Sequence, residues 1–259
     1  MKFKLSILFL CVISVGCSVG DPVNPCDVEL YQHEAVTPVA QDPNTVKWWP
    51  GRHQEKLKRI KQGNVDMIFL GDSITHRWER AGRKVWEKYY APRNAVNLGF
   101  GGDRTQHVLW RIQNGEIDDI SPDVAVVMTG TNNSGKDPAE KIADGIKAIV
   151  CQLRRRLPET KVLILGIFPR GSVPQRKGKE VLEDAEYNPQ WGKLDRVNEM
   201  IYRLADGDMV HYLNINEVFL NGEGELTLDA MPDLLHPGEK GYKLWAEAME
   251  PTSSELMEQ

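Results

Sequence analysis

Four short stretches of this chain carry residues able to move an acyl group. Gly71-Asp72-Ser73, Gly99-Phe100-Gly101-Gly102-Asp103 and Gly130-Thr131-Asn132-Asn133 each follow an apolar run, and Pro232-Asp233-Leu234-Leu235-His236-Pro237 stands near the end. A serine hydroxyl becomes a nucleophile when an imidazole takes its proton, and the imidazole needs a carboxylate on its far nitrogen to fix the tautomer. Asp233 and His236 lie three residues apart in a loop stiffened by Pro232 and Pro237, a spacing that allows that contact. Gly102, after a second glycine, can bring a backbone N–H close to a ligand, and Asn132 can aim a side-chain amide at the same point. With the Ser73 N–H, these are the donors that a developing oxyanion requires.

Each residue also has a plainer use. Ser73 could cap a helix, Gly102 could make a tight turn, Asn132 could serve a turn or a cap, and a histidine near a C-terminus is usually surface. His76, one turn beyond Ser73, is a competing base, but its place on the nucleophile's own helix suits a surface or packing role better. His107 and His211 read as structural. A glycine-rich loop could cradle phosphate, yet neither Gly-x-Gly-x-x-Gly nor the P-loop lysine is present. The acyl-transfer reading wins by convergence: four separate segments place Ser, Gly, Asn and Asp…His at one edge of the same fold.

That edge follows from the surrounding pattern. A basic helical stretch over residues 53–61 leads into Met67-Ile68-Phe69-Leu70, and Ala95-Val96-Asn97-Leu98 precedes a helix through Val108, Leu109 and Ile112. Val124-Ala125-Val126-Val127-Met128 precedes a long amphipathic helix over residues 138–156, whose terminal Arg154 to Arg156 run reads as a solvated helix end. Lys161-Val162-Leu163-Ile164-Leu165 and His211-Tyr212-Leu213-Asn214 add two strands, and a last helix is predicted over about residues 238–249. Short, nearly continuous apolar strands separated by helices imply a parallel sheet covered on both faces, a three-layer α/β/α sandwich. In such folds ligands bind beyond the carboxyl ends of the strands, where the four stretches lie. Residues 170–191 form a long charged stretch with Pro174 and Pro189, read as a rim of the site or a surface loop.

With 259 residues, 41% hydrophobic and 27% charged, the chain can bury one full-sized core. Its formal net charge of −5 gives no general attraction for nucleic acid or an anionic membrane. Residues 1–16 read as a signal peptide: Lys2 and Lys4 precede an apolar run too short to span a bilayer. Val15-Gly16-Cys17 looks like a lipobox, which would make Cys17 a lipidation site and the chain an exported, periplasmic or cell-surface protein touching the membrane only through that anchor. Residues 17–50 read as a tether and lead-in, 51–250 as the domain and 251–259 as a tail. The Trp48-Trp49 pair in the lead-in offers a sugar-stacking platform or, more simply, packing onto the domain. The stripe Ile142, Ile146, Ile149, Val150 and Leu153 puts Cys151 on the polar side of its helix, so Cys26 and Cys151 are expected to stay apart.

These residues resemble those of the SGNH, or GDSL-type, hydrolases over about residues 67–245, with Ser73, Gly102, Asn132 and His236 at the four letters. LGFGGDRTQHVLWRIQNGEI and GTNN are especially similar to the branch holding the catalytic subunits of intracellular platelet-activating-factor acetylhydrolase. The resemblance implies a flavodoxin-like sheet of about five parallel strands in the order 2-1-3-4-5, an ester hydrolase without a cofactor or metal, and a dimer as one form of the chain. It also implies an acyl pocket at Ile74, Thr131 and Leu235, suited to acetyl. The export signal and the long 170–191 segment depart from that branch. Exported relatives are often carbohydrate O-acetylesterases, so a polysaccharide or small-molecule acetate ester is the expected substrate. An esterase for phospholipids or longer acyl chains is the first rival, and a catalytically silent glycan binder using Trp48, Trp49 and Trp191 is the second.

Overall fold

The computed structural model describes residues 25–27, 30–171 and 189–258. The expected signal segment, Cys17 and most of the 170–191 stretch lie outside the described residues.

Five parallel strands, β1 (Met67–Gly71), β2 (Ala95–Gly99), β3 (Val124–Met128), β4 (Lys161–Leu165) and β5 (Val210–Leu213), form one sheet in the order β2-β1-β3-β4-β5. Because side chains alternate along a strand, each apolar run feeds two cores. Ile68, Leu70, Val96, Leu98, Val127, Val162 and Ile164 face helices α1 (Trp49–Ile60), α4 (Thr105–Gln113), α5 (Ala139–Arg156) and α6 (Pro189–Ile201). Met67, Phe69, Val126, Leu163 and Leu165 face α3 (Arg83–Tyr89) and α7 (Glu239–Glu258). Among the described residues no helix is long and apolar enough to cross a membrane.

In register, Gly71 lies beside both Gly99 and Met128 at the carboxyl edge. The chain leaves β1 toward β2 on one side and β3 continues on the other, so the edge between β1 and β3 is the topological switch point. The four-residue helix α2 (Ser73–His76) starts there. Gly99 lets it settle: a Cβ at this position would come within 2.3 Å of the His76 backbone nitrogen.

Two expectations are corrected. Cys151 is 5% exposed and forms a disulfide with Cys26, with Cα atoms 5.4 Å apart. The stripe does face the sheet, but the lead-in folds back over α5: Ala35 is buried, and its carbonyl accepts the Thr105 hydroxyl at 2.8 Å. A helix covered on two sides has no polar face at Cys151. The residues expected to form a tail instead continue α7 to Glu258, through Pro251. Proline removes one N–H, but Ser253 and Leu256 are buried, Arg93 binds Glu250 and Ser254, and Lys161 donates to the Leu256 carbonyl. Tertiary contacts here outweigh the helix-breaking tendency.

Candidate active site

Ser73 is the first residue of α2, after a buried Asp72 whose Oδ1 accepts the Ile74 N–H at 2.9 Å. That cap fixes the turn out of β1 and leaves the Ser73 N–H at the first turn, where no carbonyl one turn back can receive it. Its hydroxyl stands 2.9 Å from His236 Nε2, and His236 Nδ1 is 2.7 Å from Asp233 Oδ2. The imidazole therefore donates from Nδ1 to the carboxylate and accepts the serine proton at Nε2.

The loop that holds this pair is wound tightly. Asp233 Oδ1 accepts the backbone N–H groups of Leu235 at 3.1 Å and His236 at 2.6 Å. Leu234 takes a left-handed φ of 53° to permit it, a conformation that costs a non-glycine residue on the order of 1 kcal/mol. Its N–H donates to Met231 and its carbonyl accepts from Gly171, tying the loop to the segment after β4. Burial pushes the Asp233 carboxyl up, but the hydrogen bond from the His236 ring, the two backbone N–H donors and the electrostatic attraction of His236 outweigh it. The group lies well below the usual carboxylate range. It stays ionised and ready to stabilise an imidazolium.

Opposite, the glycine loop is pinned through its carbonyls. Arg52 Nε donates to Gly99 at 3.0 Å, Gln41 to Gly101 at 3.1 Å and Asn132 Nδ2 to Asp103 at 2.8 Å. Between them Gly102 is exposed, with φ +77°, where a side chain would be strained. Asn132 keeps a second amide hydrogen beyond its bond to Asp103. The neighbouring Asn133 is buried and structural: it accepts from Thr105 N–H and donates to Gln106 and Asp137, locking the start of α4 to this loop.

Beneath the loop lies a charged cluster that sequence reasoning missed. Asp103, fully buried, accepts from Gln41 at 2.6 Å, Trp49 Nε1 at 2.8 Å and Arg111 Nε at 2.7 Å. Arg111 also binds Glu116 and the Gly71 carbonyl, and Glu116 meets His53 Nδ1 at 2.9 Å. The Arg111 guanidinium centres 4.1 Å from the Phe100 ring. Gln41, Arg111 and Glu116 carry no local motif, and only the buried position of Asp103 in the GGD turn could have pointed to them.

The remaining predicted residues sort as follows. His76 accepts the Gly101 N–H on Nδ1 at 3.2 Å; burial and then Arg52 lower it to about 4, so at neutral pH it is an uncharged packing residue. His107 accepts from the Arg104 N–H, and His211 meets the Asp208 carbonyl. Trp49 is 2% exposed and packs, whereas Trp48 remains 45% exposed. Ile74, Thr131 and Leu235 are all buried; Ile74 and Leu235 share one apolar cluster, and the Thr131 hydroxyl and carbonyl accept from Arg170. Among the described residues no group of three or more His, Cys, Asp or Glu side chains could hold a metal ion.

The GDSL-like lipase/acylhydrolase family matches residues 69–244. The platelet-activating factor acetylhydrolase IB subunit alpha1 of Bos taurus is 36% identical over 207 residues, 80% of this chain and 82% of its own. A GDSL-like lipase from Bacteroides thetaiotaomicron superposes with a TM-score of 0.63 at 18% identity, covering 79% of this chain and 97% of that one. A variant of the acetyl-xylooligosaccharide esterase from Geobacillus Stearmophilus superposes with a TM-score of 0.53 at 15% identity, covering 72% and 93%. The two structures share the fold.

Proposed function

Since this chain belongs to the GDSL-like lipase/acylhydrolase family and is an ester hydrolase, we propose that it is an exported acetylesterase that removes O-acetyl groups from carbohydrate. The observation that carries the chemistry is the unbroken Asp233–His236–Ser73 chain at 2.7 and 2.9 Å. Ser73 Oγ attacks the ester carbonyl as its proton passes to His236 Nε2, and the Ser73 and Gly102 N–H groups with the Asn132 amide hold the oxyanion. His236 returns the proton to the leaving alcohol. Water, deprotonated by the same nitrogen, then releases the acyl group and frees Ser73.

A small acyl group is supported by the resemblance to the acetylhydrolases, whose acyl pocket corresponds to Ile74, Thr131 and Leu235, all buried here. Export is supported by the apolar N-terminal segment with Cys17 as its lipidation site, and by the Cys26–Cys151 disulfide, a bond that persists in oxidising compartments. Carbohydrate is supported by the half-exposed Trp48 at the rim of the site, a flat surface suited to a sugar ring.

Acetate release from acetylated polysaccharides, set beside a series of aryl esters of increasing acyl length, tests the reading. Acetate released from a polysaccharide, with a steep fall in turnover beyond acetyl, is the expected result. Preference for long acyl chains would overturn it. The second reading, a phospholipid acetylhydrolase, is favoured by the 36% identity to a platelet-activating factor acetylhydrolase subunit. An acetylated ether phospholipid in the same panel separates the two.

A further inference from the structure

Beside Ser73 a cleft of about 540 Å³ runs between Trp48 and the arginines of the α2 turn, Arg77 and Arg80. Its place tells which half of the ester it receives. Ser73 lines it, whereas Ile74, Thr131 and Leu235, the acyl pocket of the proposed function, do not. With the acyl half in that pocket, the cleft is left for the alcohol, which takes its proton from His236 Nε2 as it departs.

The charge of the cleft runs against that of the chain. Its lining sets Arg52, Arg77 and Arg80 against Glu55, a positive balance in a protein of net charge −5. Glu79 is committed to Arg52 and Lys56, each at 2.8 Å. Arg77 is held only loosely, by a carboxylate oxygen already given to His236. Arg80 is exposed, and among the described residues its guanidinium has no hydrogen-bond or ion-pair partner. A guanidinium matches a carboxylate or phosphate in shape and charge. At the opposite wall the Trp48 indole is braced from behind, 6.5 Å from Phe100 and 5.5 Å from His76, with 45% of its surface open.

We propose that this cleft binds the alcohol half of the ester as a sugar ring carrying an anionic group, the ring against Trp48 and the carboxylate or phosphate against Arg80 and Arg77. The volume suits one or two sugar units, since sites for small ligands run from roughly 300 to 1,000 Å³. The proposal rests on Ser73 as the esterase nucleophile and narrows the substrate to acidic glycans.

Inhibition of 4-nitrophenyl acetate turnover by free sugars tests it on the full chain. Glucuronate or glucose 6-phosphate should inhibit competitively, at least about tenfold more tightly than glucose, since a hydrogen bond to a charged group contributes about that much; the tighter of the two identifies carboxylate or phosphate. Arg80→Gln should erase the preference, and Trp48→Ala should weaken all three sugars. Arg83→Gln removes the same charge from an exposed pair with Glu87 outside the cleft and should leave the preference intact. The readout is a ratio within each variant, so a general loss of folding or chemistry cancels. Equal inhibition by the three sugars, a preference that survives Arg80→Gln, or inorganic phosphate binding as tightly as the sugar phosphate would each overturn the proposal. Acetate release from acetylated uronate and xylose oligomers separates this from the broader reading. Anion-selective inhibition without deacetylation of either would sink the carbohydrate reading and leave the anion site standing, whereas cleavage of both without preference would do the reverse.

Discussion

The two sides of Ser73 are built differently. On the oxyanion side, the loop carbonyls of Gly99, Gly101 and Asp103 are each held, and a dry cluster of Asp103, Arg111 and Glu116 lies underneath. On the base side, Asp233 is 41% exposed, and its contacts come almost entirely from its own loop. Donors that stabilise a developing charge work by being fixed before the charge appears, which calls for a rigid, desolvated support. A base must pass its proton onward, and a short solvent-facing loop with an ionised carboxylate is sufficient for that. Stability and catalysis should therefore be coupled on the first side and separable on the second.

Asp233→Asn presents the strongest test of separability. Turnover of an aryl acetate should fall by about 10³- to 10⁴-fold through the wrong imidazole tautomer, while stability falls by less than in Arg111→Met, since the amide keeps an oxygen for the two N–H donors and the lost charge is half exposed. A stability loss as large as that of Arg111→Met would contradict the contrast. Arg111→Met should behave oppositely: it leaves Asp103 and Glu116 buried without their cation and should cost about 3–5 kcal/mol in urea unfolding, with activity lost alongside. Cys26→Ser opens the bridge that ties the lead-in, and with it Gln41, over α5; it should cost about 2–4 kcal/mol. Unchanged stability there would mean that the lead-in is held without it.

The smallest effect concerns Asp72. Burial, opposed by the Ile74 N–H and reinforced by Asp103, raises its carboxyl to about 7. Between the unfolded value near 4 and 7 the folded state holds a proton that the unfolded chain releases, so this group's contribution falls as pH rises through that window and stays lost above it. Asp72→Asn removes the slope and keeps an oxygen for the Ile74 N–H. Relative to the native chain, the variant should gain at most a few kcal/mol between pH 4 and pH 8 in parallel unfolding curves. A constant difference across that range would show that Asp72 does not titrate in it.

The same division governs what could be read from the chain. Alternating apolar runs and helical stripes led to the parallel sheet, and Asp233 with His236 were legible because three residues of spacing hold the whole contact. Ser73, Gly102 and Asn132 were found because the ends of apolar strands mark the functional edge. The support for that edge was not legible. Gln41 reaches Gly101 and Asp103 across about 60 positions, and Arg111 reads locally as one residue of an amphipathic helix. Cys151 was misplaced for a related reason: a helical stripe reveals the face toward the sheet and nothing about a lead-in folded over the other side. The last helix is expected to stop near residue 249 because the local pattern ends there, whereas the contacts that carry α7 through Pro251 to Glu258 come from Arg93 and Lys161.

The central claim is that Ser73 Oγ is the nucleophile primed by His236. Incubation of the full chain with a fluorophosphonate, followed by peptide mass mapping, addresses it directly. One covalent adduct on Ser73, formed in step with loss of esterase activity and absent from Ser73→Ala and His236→Ala, is the expected result. An adduct on another residue, or hydrolysis continuing at near-native rate in Ser73→Ala, would contradict the account.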